Sequence, residues 1–193
     1  NLRAILTEEE GKTIQYWDLK AREIIGTIDI TAEETNVPLF GNEAEGCVID
    51  DENEHIIISR EGMRGILNAY DANTLEFIKV IDSRSGNIGG DPEGVTVYKT
   101  TDKEGFIIVS SQGDSKFNLY SRQFPFDYIR SFTVNDVTDT DGIDVTNKSI
   151  DGLFPQGFLV VQDGYNSPDN QNFKIVDMDQ VLKKKVMNPG STD

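Results

Sequence analysis

Residues 106–113 read Phe106-Ile107-Ile108-Val109-Ser110-Ser111-Gln112-Gly113, an apolar strand-like run that closes on an amide and a glycine. The pattern stands 51 residues upstream as His55-Ile56-Ile57-Ile58-Ser59-Arg60-Glu61-Gly62, and 51 further as Ala4-Ile5-Leu6-Thr7-Glu8-Glu9-Glu10-Gly11. It returns downstream as Gly157-Phe158-Leu159-Val160-Val161-Gln162-Asp163-Gly164. Every copy ends in Glu, Gln or Asp followed by Gly. Self-similarity at a fixed period of this length marks a repeat architecture.

A second motif recurs every 48 residues: Glu43-Ala44-Glu45-Gly46, Asp91-Pro92-Glu93-Gly94 and Asp139-Thr140-Asp141-Gly142. Each is acid-x-acid-Gly, and each leads into an aliphatic-rich run: Cys47-Val48-Ile49, Val95-Thr96-Val97, Ile143-Asp144-Val145. A third row of strand-like runs covers Thr13 to Asp18, Ile66 to Tyr70, Phe117 to Tyr120 and Phe173 to Val176. A fourth covers Ile24 to Ile30, Phe77 to Ile81 and Tyr128 to Val134. β-branched and aromatic residues dominate these runs, and turn signals such as Asp71-Ala72-Asn73 and Asp151-Gly152 separate them. One short helical turn is expected, around Gln180 to Lys185.

Four short antiparallel strands per repeat of about 50 residues predict β-propeller blades and an all-β fold. A β-sandwich would space its strands similarly but would not repeat in this way. The chain reads as a single partial propeller domain over 1–193, with blade segments at about 1–40, 41–88, 89–136 and 137–193. Its first repeat begins at the second strand and its last ends after the third. An open arc of blades exposes apolar faces at both ends. The expectation is therefore a piece of a longer protein, or one member of an assembly that completes the ring. A closed four-bladed ring would require the two partial repeats to merge.

The chain carries 34 acidic and 18 basic residues, a formal net charge of −16. That balance excludes the basic stripes of nucleic-acid binding and the polybasic patches that seek anionic membranes. No stretch approaches the ~18 apolar residues of a membrane helix, and no signal peptide is visible. Cys47 is the single cysteine, so neither an intramolecular disulfide nor a thiolate metal cluster is available. Its apolar neighbours predict a buried structural thiol. Tyr16, Trp17, Tyr70 and Tyr120 recur in the third row and are expected to pack between blades. Lys183-Lys184-Lys185 reads as a solvated helix end.

The two motifs converge on one place. The first strand of a blade follows the acid-x-acid-Gly segment, and the second runs back and ends at the Glu/Gln/Asp-Gly segment. In an antiparallel pair, the start of one strand lies beside the end of the next. Blades set around an axis then bring Glu10, Glu43, Glu45, Glu61, Asp91, Glu93, Gln112, Asp139, Asp141 and Asp163 to one mouth. So many carboxylates repel one another unless a cation binds. The ligands are oxygens, and the sole histidine, His55, precedes a strand elsewhere. A hard cation follows, Ca²⁺ ahead of Mg²⁺ because the site offers many ligands in an irregular set. The Asp163-Gly164-Tyr165-Asn166 turn adds a carboxylate and an amide oxygen. The competing reading is that these acids are ordinary turn residues on a solvated face.

Ser110-Ser111-Gln112-Gly113-Asp114-Ser115-Lys116-Phe117, Asp139-Thr140-Asp141-Gly142-Ile143-Asp144-Val145, and Gln162-Asp163-Gly164 followed by Asn170-Gln171-Asn172-Phe173-Lys174 resemble the calcium-dependent β-propeller phytases. Glu45-Gly46 with Asp50-Asp51-Glu52, and Asp91-Pro92-Glu93-Gly94, fit the same pattern in the same order. The resemblance spans nearly the whole chain and about the C-terminal half of the family's six-bladed domain. It implies a 3-phytase-like phosphomonoesterase that hydrolyses phytate (myo-inositol hexakisphosphate) or another phosphorylated small molecule, using several Ca²⁺ ions and a metal-activated water. It implies a secreted or periplasmic protein. It assigns catalytic roles to Glu45, Asp91, Glu93 and Gln112. The expected metal ligands are Glu10, Glu45, Glu61, Asp91, Glu93, Gln112, Asp141, Gly142, Asp163 and Asn166, the last four resembling a structural calcium site. The family's N-terminal Asp-Ala-x-Asp-Asp-Pro-Ala segment, and the Lys and Arg that grip phosphate in its early blades, have no counterpart here. The rest of the chain or another chain would supply those blades. Two other readings stand beside this one: a calcium-stabilised propeller that binds a partner without catalysis, and a lactonase-type calcium propeller, for which His55 is poorly placed.

Overall fold

A computed structural model describes residues 2–7, 11–31, 43–150 and 152–183. The described chain is almost all β. Strands β1 (Arg3–Leu6), β2 (Thr13–Asp18) and β3 (Glu23–Asp29) form the first sheet, in the order β1-β2-β3. The second contains β4 (Ala44–Asp50), β5 (His55–Arg60), β6 (Ile66–Asp71) and β7 (Phe77–Ser83), in chain order. The third contains β8 (Pro92–Lys99), β9 (Gly105–Ser111), β10 (Lys116–Ser121) and β11 (Tyr128–Phe132). The fourth contains β12 (Ile143–Thr146), β13 (Phe158–Asp163) and β14 (Asn172–Asp177), and a short helix α1 (Met178–Lys183) follows.

Every pairing is antiparallel between strands consecutive in the chain. These sheets are the propeller blades anticipated from the repeats, with three strands in the first and last and four in the middle two. The helix lies at Met178–Lys183, slightly ahead of its expected place. Tight turns close the hairpins by a recurrent device. Asp71 Oδ1 accepts the N–H groups of Asn73 and Thr74 at 2.8 Å, and Asp18 Oδ1 does the same for Lys20 and Ala21.

Three apolar clusters fill the spaces between successive blades. Ile14, Ile28, Ile56, Ile58 and Tyr70 lie between the first and second. Ile57, Leu67, Ile107, Val109 and Tyr120 lie between the second and third. Tyr98, Ile108, Phe117, Leu159 and Val161 lie between the third and fourth. Side chains on both faces of the inner strands are consumed by these clusters, so β5 and β6 are buried almost end to end. This is why they read as unbroken apolar runs instead of alternating ones. Tyr16, Tyr70 and Tyr120 are buried within the blade packing as their recurrence suggests, while Trp17 is half-buried. Cys47 differs from expectation: it is half-buried at the margin of its cluster, because the strand that carries it lines the inner side of the arc.

At the ends of the blades remote from the acid-rich loops, a buried ion-pair network fastens the second blade to the third. Arg122, fully buried, directs Nε to Asp50 Oδ2 at 2.7 Å and Nη2 to Asp50 Oδ1 and to Glu52 Oε2. Its Nη1 donates to the carbonyls of Thr101, Asp102 and Glu104 at 3.0–3.2 Å. Burial opposes ionisation of Asp50, but Arg122 and Asn53 more than offset it and hold the carboxyl below the usual range.

Candidate metal and active site

The acid-x-acid-Gly segments do not all simply precede their strands. Two of the three enter them as bulges, while the third, Asp139 to Gly142, ends just ahead of β12. In the second blade Ala44 faces Arg60 and Cys47 faces Ile58, so Glu45 and Gly46 together oppose Ser59 alone. In the third, Pro92 faces Ser111 and Val95 faces Val109, so Glu93 and Gly94 oppose Ser110. A bulge adds a residue to one strand and re-aims its side chains, and such features gather at functional sites.

The two serines, both buried, hold the bulges and join them across blades. Ser59 Oγ accepts the Gly46 N–H at 2.9 Å and hydrogen-bonds to the Glu93 carbonyl of the next blade. Ser110 Oγ lies 3.4 Å from the Gly94 carbonyl and 3.3 Å from the Asp141 carbonyl, again of the next blade. The Gly94 N–H donates to that same Asp141 carbonyl at 2.6 Å. Such close backbone approach requires glycine. A Cβ on Gly46 would come within 2.3 Å of the Glu93 carbonyl oxygen, and one on Gly94 within 2.5 Å of the Asp141 oxygen.

This stitching gathers carboxylates at one rim. Carboxylate oxygens of Glu43, Glu45 and Glu61 lie within 4.8 Å of one another. Glu93, only 6% exposed, is pushed up to about 8 by burial first and then by the charges of Glu45, Glu61, Asp141 and Asp91. Burial also raises Glu45, and Glu61 and Glu43 add to the effect, while a hydrogen bond with Glu93 works against it. Gln112 ties in the third blade: its N–H donates to the Asp91 carbonyl at 2.8 Å, and its Nε2 lies 2.5 Å from Asp141 Oδ1. Glu45, Glu61, Asp91, Glu93, Gln112 and Asp141 therefore belong to one group.

The remaining candidates have other company. Asp163 is buried and paired with Lys174 Nζ at 2.9 Å. Lys174 holds its carboxyl below the usual range, against the effect of burial and aided by the Thr138 N–H. The neighbouring Gln162 accepts the Asp141 N–H at 2.8 Å, linking this corner to the main group. Gly142 has nothing within 4 Å of where a Cβ would stand. Asn166 is half-buried in the 164–171 turn and donates to the Asn170 carbonyl at 3.0 Å. Asp139 is exposed, with left-handed backbone (φ 47°) and its N–H facing Ser115 Oγ. Glu10 lies outside the described residues.

His55 begins β5, and the carboxylates gather where that strand ends. Six residues of extended chain put the imidazole about 20 Å from Glu61. It packs edge-on to Phe126, 5.0 Å between ring centres, and burial lowers its pKa. The donors at the mouth are oxygens, several of them formally charged and one buried and forced toward its neutral form. Such a set fits a hard dication that would take over the repulsion.

Sequence reasoning did not single out Ser59 and Ser110. Their signal was present, since both occupy the fifth position of the 51-residue repeat, the first polar residue after the apolar run. Arg84 was also missed. Its Nη2 is hydrogen-bonded to Asp91 and lies 3.1 Å from the Gly62 carbonyl. It carries no repeat signal, because its counterpart 48 residues on is Phe132.

Comparison with known proteins bears on the family of the chain. The 3-phytase of Bacillus subtilis (strain 168) is 31% identical to the chain over 194 residues, which covers 93% of the chain and 49% of that protein. The chain thus spans about half the length of that relative. The sequence profile of the phytase family matches residues 4–189, end to end across all four blades. The chain belongs to the phytase family.

Proposed function

We propose that the chain is part of a calcium-dependent, 3-phytase-like phosphomonoesterase that hydrolyses phytate or a related phosphorylated small molecule at the acidic rim. One observation carries this reading: in a member of the phytase family, four carboxylates from three blades act on the buried Glu93 carboxyl. Glu43, Glu45 and Glu61 would hold one cation, and Asp91, Glu93 and Asp141 would complete the neighbouring ligand set. When bound, a hard dication supplies positive charge for the phosphoryl oxygens and lowers the pKa of an attacking water. The chain's own residues prepare the site. Glu93 retains a proton near neutral pH until a cation replaces it. Gln112 Nε2 orients Asp141, and Ser59 and Ser110 fix the bulges that aim Glu45 and Glu93. Asp141, Gly142, Asp163 and Asn166 would form a structural site beside the rim.

The four blades belong, on this reading, to one partial propeller domain, whose remaining blades come from the rest of the chain or from another chain. The enzyme acts outside the cytoplasm, secreted or periplasmic. No helix among the described residues is long and apolar enough to cross a membrane. The test is phosphate release from calcium phytate by the complete protein, at neutral to alkaline pH, with and without a calcium chelator. Release that depends on calcium supports the proposal, and no release with calcium present rejects it. A propeller stabilised by calcium that releases no phosphate would instead be a binding module.

A further inference from the structure

The mouth described above is acidic, yet its proposed substrate is an anion. Cations near the rim are few among the described residues. Lys174 is committed to Asp163 and Lys116 to Asp114, both at 2.9 Å. Arg84 differs in how it is held. Both hydrogen bonds that it makes to described residues use Nη2, one to Asp91 and one to the Gly62 carbonyl. A guanidinium has five N–H donors in a rigid fork. Nε and Nη1 have no hydrogen-bond partner among the described residues, and the side chain is 36% exposed.

The loop that presents Arg84 is fixed on all sides. Asp82 Oδ1 accepts the Ser83 N–H at 2.7 Å, and Asp82 Oδ2 takes the Asn87 side chain and the Tyr120 hydroxyl at 2.9 Å. Ile88 is fully buried, and the Gly90 N–H donates to Ser111 Oγ at 2.9 Å. The Arg84 N–H itself donates to the Arg64 carbonyl at 2.7 Å. Arg84 and Arg64, with Met63, Ser83 and Ser85, line a depression beside the Glu61-Gly62 turn. A guanidinium anchored through one nitrogen, on a preorganised loop, is the arrangement that grips phosphate oxygens with little further ordering.

We propose that Arg84 is a substrate-binding residue, which anchors on Asp91 and directs its remaining donors to a phosphate of the substrate. The inference rests on the phytase reading and adds to it a phosphate-gripping cation within these four blades. Its role is binding that is shared by ground state and transition state, so its loss should raise KM more than it lowers kcat.

The experiment uses the complete protein, wild type against Arg84→Ala and Arg84→Lys, with phytate kinetics at saturating calcium. Calcium titration without substrate and thermal unfolding are measured alongside. The expected result is a phytate KM about tenfold higher in Arg84→Ala, from loss of a charge-assisted hydrogen bond, with calcium affinity not weakened and partial recovery in Arg84→Lys. An unchanged KM would overturn the proposal, as would a KM increase matched by an equal loss of calcium affinity, since either makes Arg84 only a structural anchor for Asp91. If wild type releases no phosphate, the phytase reading fails, and calorimetric binding of phytate to the calcium-loaded proteins decides the role of Arg84. Weakening by the Ala substitution supports the role. Unchanged binding, or no binding by wild type, overturns it.

Discussion

The Ser59 hydroxyl in β5 hydrogen-bonds to the Glu93 backbone carbonyl at the start of β8, so that one blade positions the buried carboxyl-bearing residue of the next. The same hydroxyl accepts the Gly46 N–H. Replacing it by alanine leaves two backbone groups without this partner in a buried setting. Ser59→Ala should lower stability by about 1–3 kcal/mol and weaken calcium binding, because Glu45 and Glu93 lose their common support. Denaturant unfolding and calcium titration of the variant check this, and an unaltered calcium affinity would separate the serine from the site.

The Glu93 carboxyl makes stability depend on pH. Its pKa is raised from 4.5 to about 8 in the folded protein, by burial and then by neighbouring carboxylates. Below pH 4.5 both folded and unfolded states hold the proton, so the group contributes no pH dependence. Between 4.5 and about 8 the unfolded state gives up the proton first, and stability falls as pH rises. Glu45, raised for the same reasons, acts in the same direction. Asp50 and Asp163, held low, act oppositely: the stability they contribute is lost as pH falls through the acidic range. His55, held low by burial, also acts oppositely, but only below its unfolded value of 6.5, so in chelator the melting temperature should decline from about pH 6.5 to pH 8. Glu93→Gln should flatten that decline, while lowering calcium affinity and phosphate release at least tenfold. A wild-type profile flat across this range would contradict the buried position of Glu93.

Glycines at equivalent places in the repeat should not be equivalent to substitution. A Cβ on Gly46 or Gly94 would collide with a backbone carbonyl of the following blade, whereas one on Gly142 meets nothing within 4 Å. Gly46→Ala and Gly94→Ala are each expected to cost about 1–3 kcal/mol. Gly142→Ala should be silent in the 193-residue chain. In a longer protein whose ring continues past the fourth blade, it should cost as much as Gly94→Ala. Parallel unfolding of the two lengths tests this directly.

Arg122 offers a control remote from the rim. Arg122→Ala breaks a buried pair and leaves Asp50 uncompensated, for an expected loss of about 3–5 kcal/mol. Calcium affinity, measured under conditions where the variant remains folded, should be unchanged. A parallel fall in calcium affinity would show that the two ends of the blades are coupled.

The strand rows and their grouping into antiparallel sheets were legible because one apolar run recurs every 51 residues, and sheets covered on both faces leave that run unbroken. The gathering of Glu45, Glu61, Asp91, Glu93 and Asp141 at one mouth was legible from two spacings and the antiparallel rule. The bulges were not. A register shift leaves no mark in hydrophobic periodicity, so Glu45 and Glu93 read as residues ahead of a strand instead of residues within one. Asp163 reads like its repeat-mates, but its pairing with Lys174 depends on the register of β14 against β13, which spacing alone does not reveal. Arg84 escaped notice because its importance comes from a neighbour seven positions on, across an irregular loop.

The two ends of the blades are held by opposite means. Arg122 and Asp50 act as a bolt at one end, while at the other Glu45 and Glu61 repel each other beside the proton-holding Glu93, a repulsion that a bound cation would relieve. Withdrawal of the cation should therefore open the arc as a fan opens, widening at the rim while the riveted end stays shut. Amide protons of residues 43–46, 61–65 and 89–94 would exchange with solvent well before those of residues 99–105.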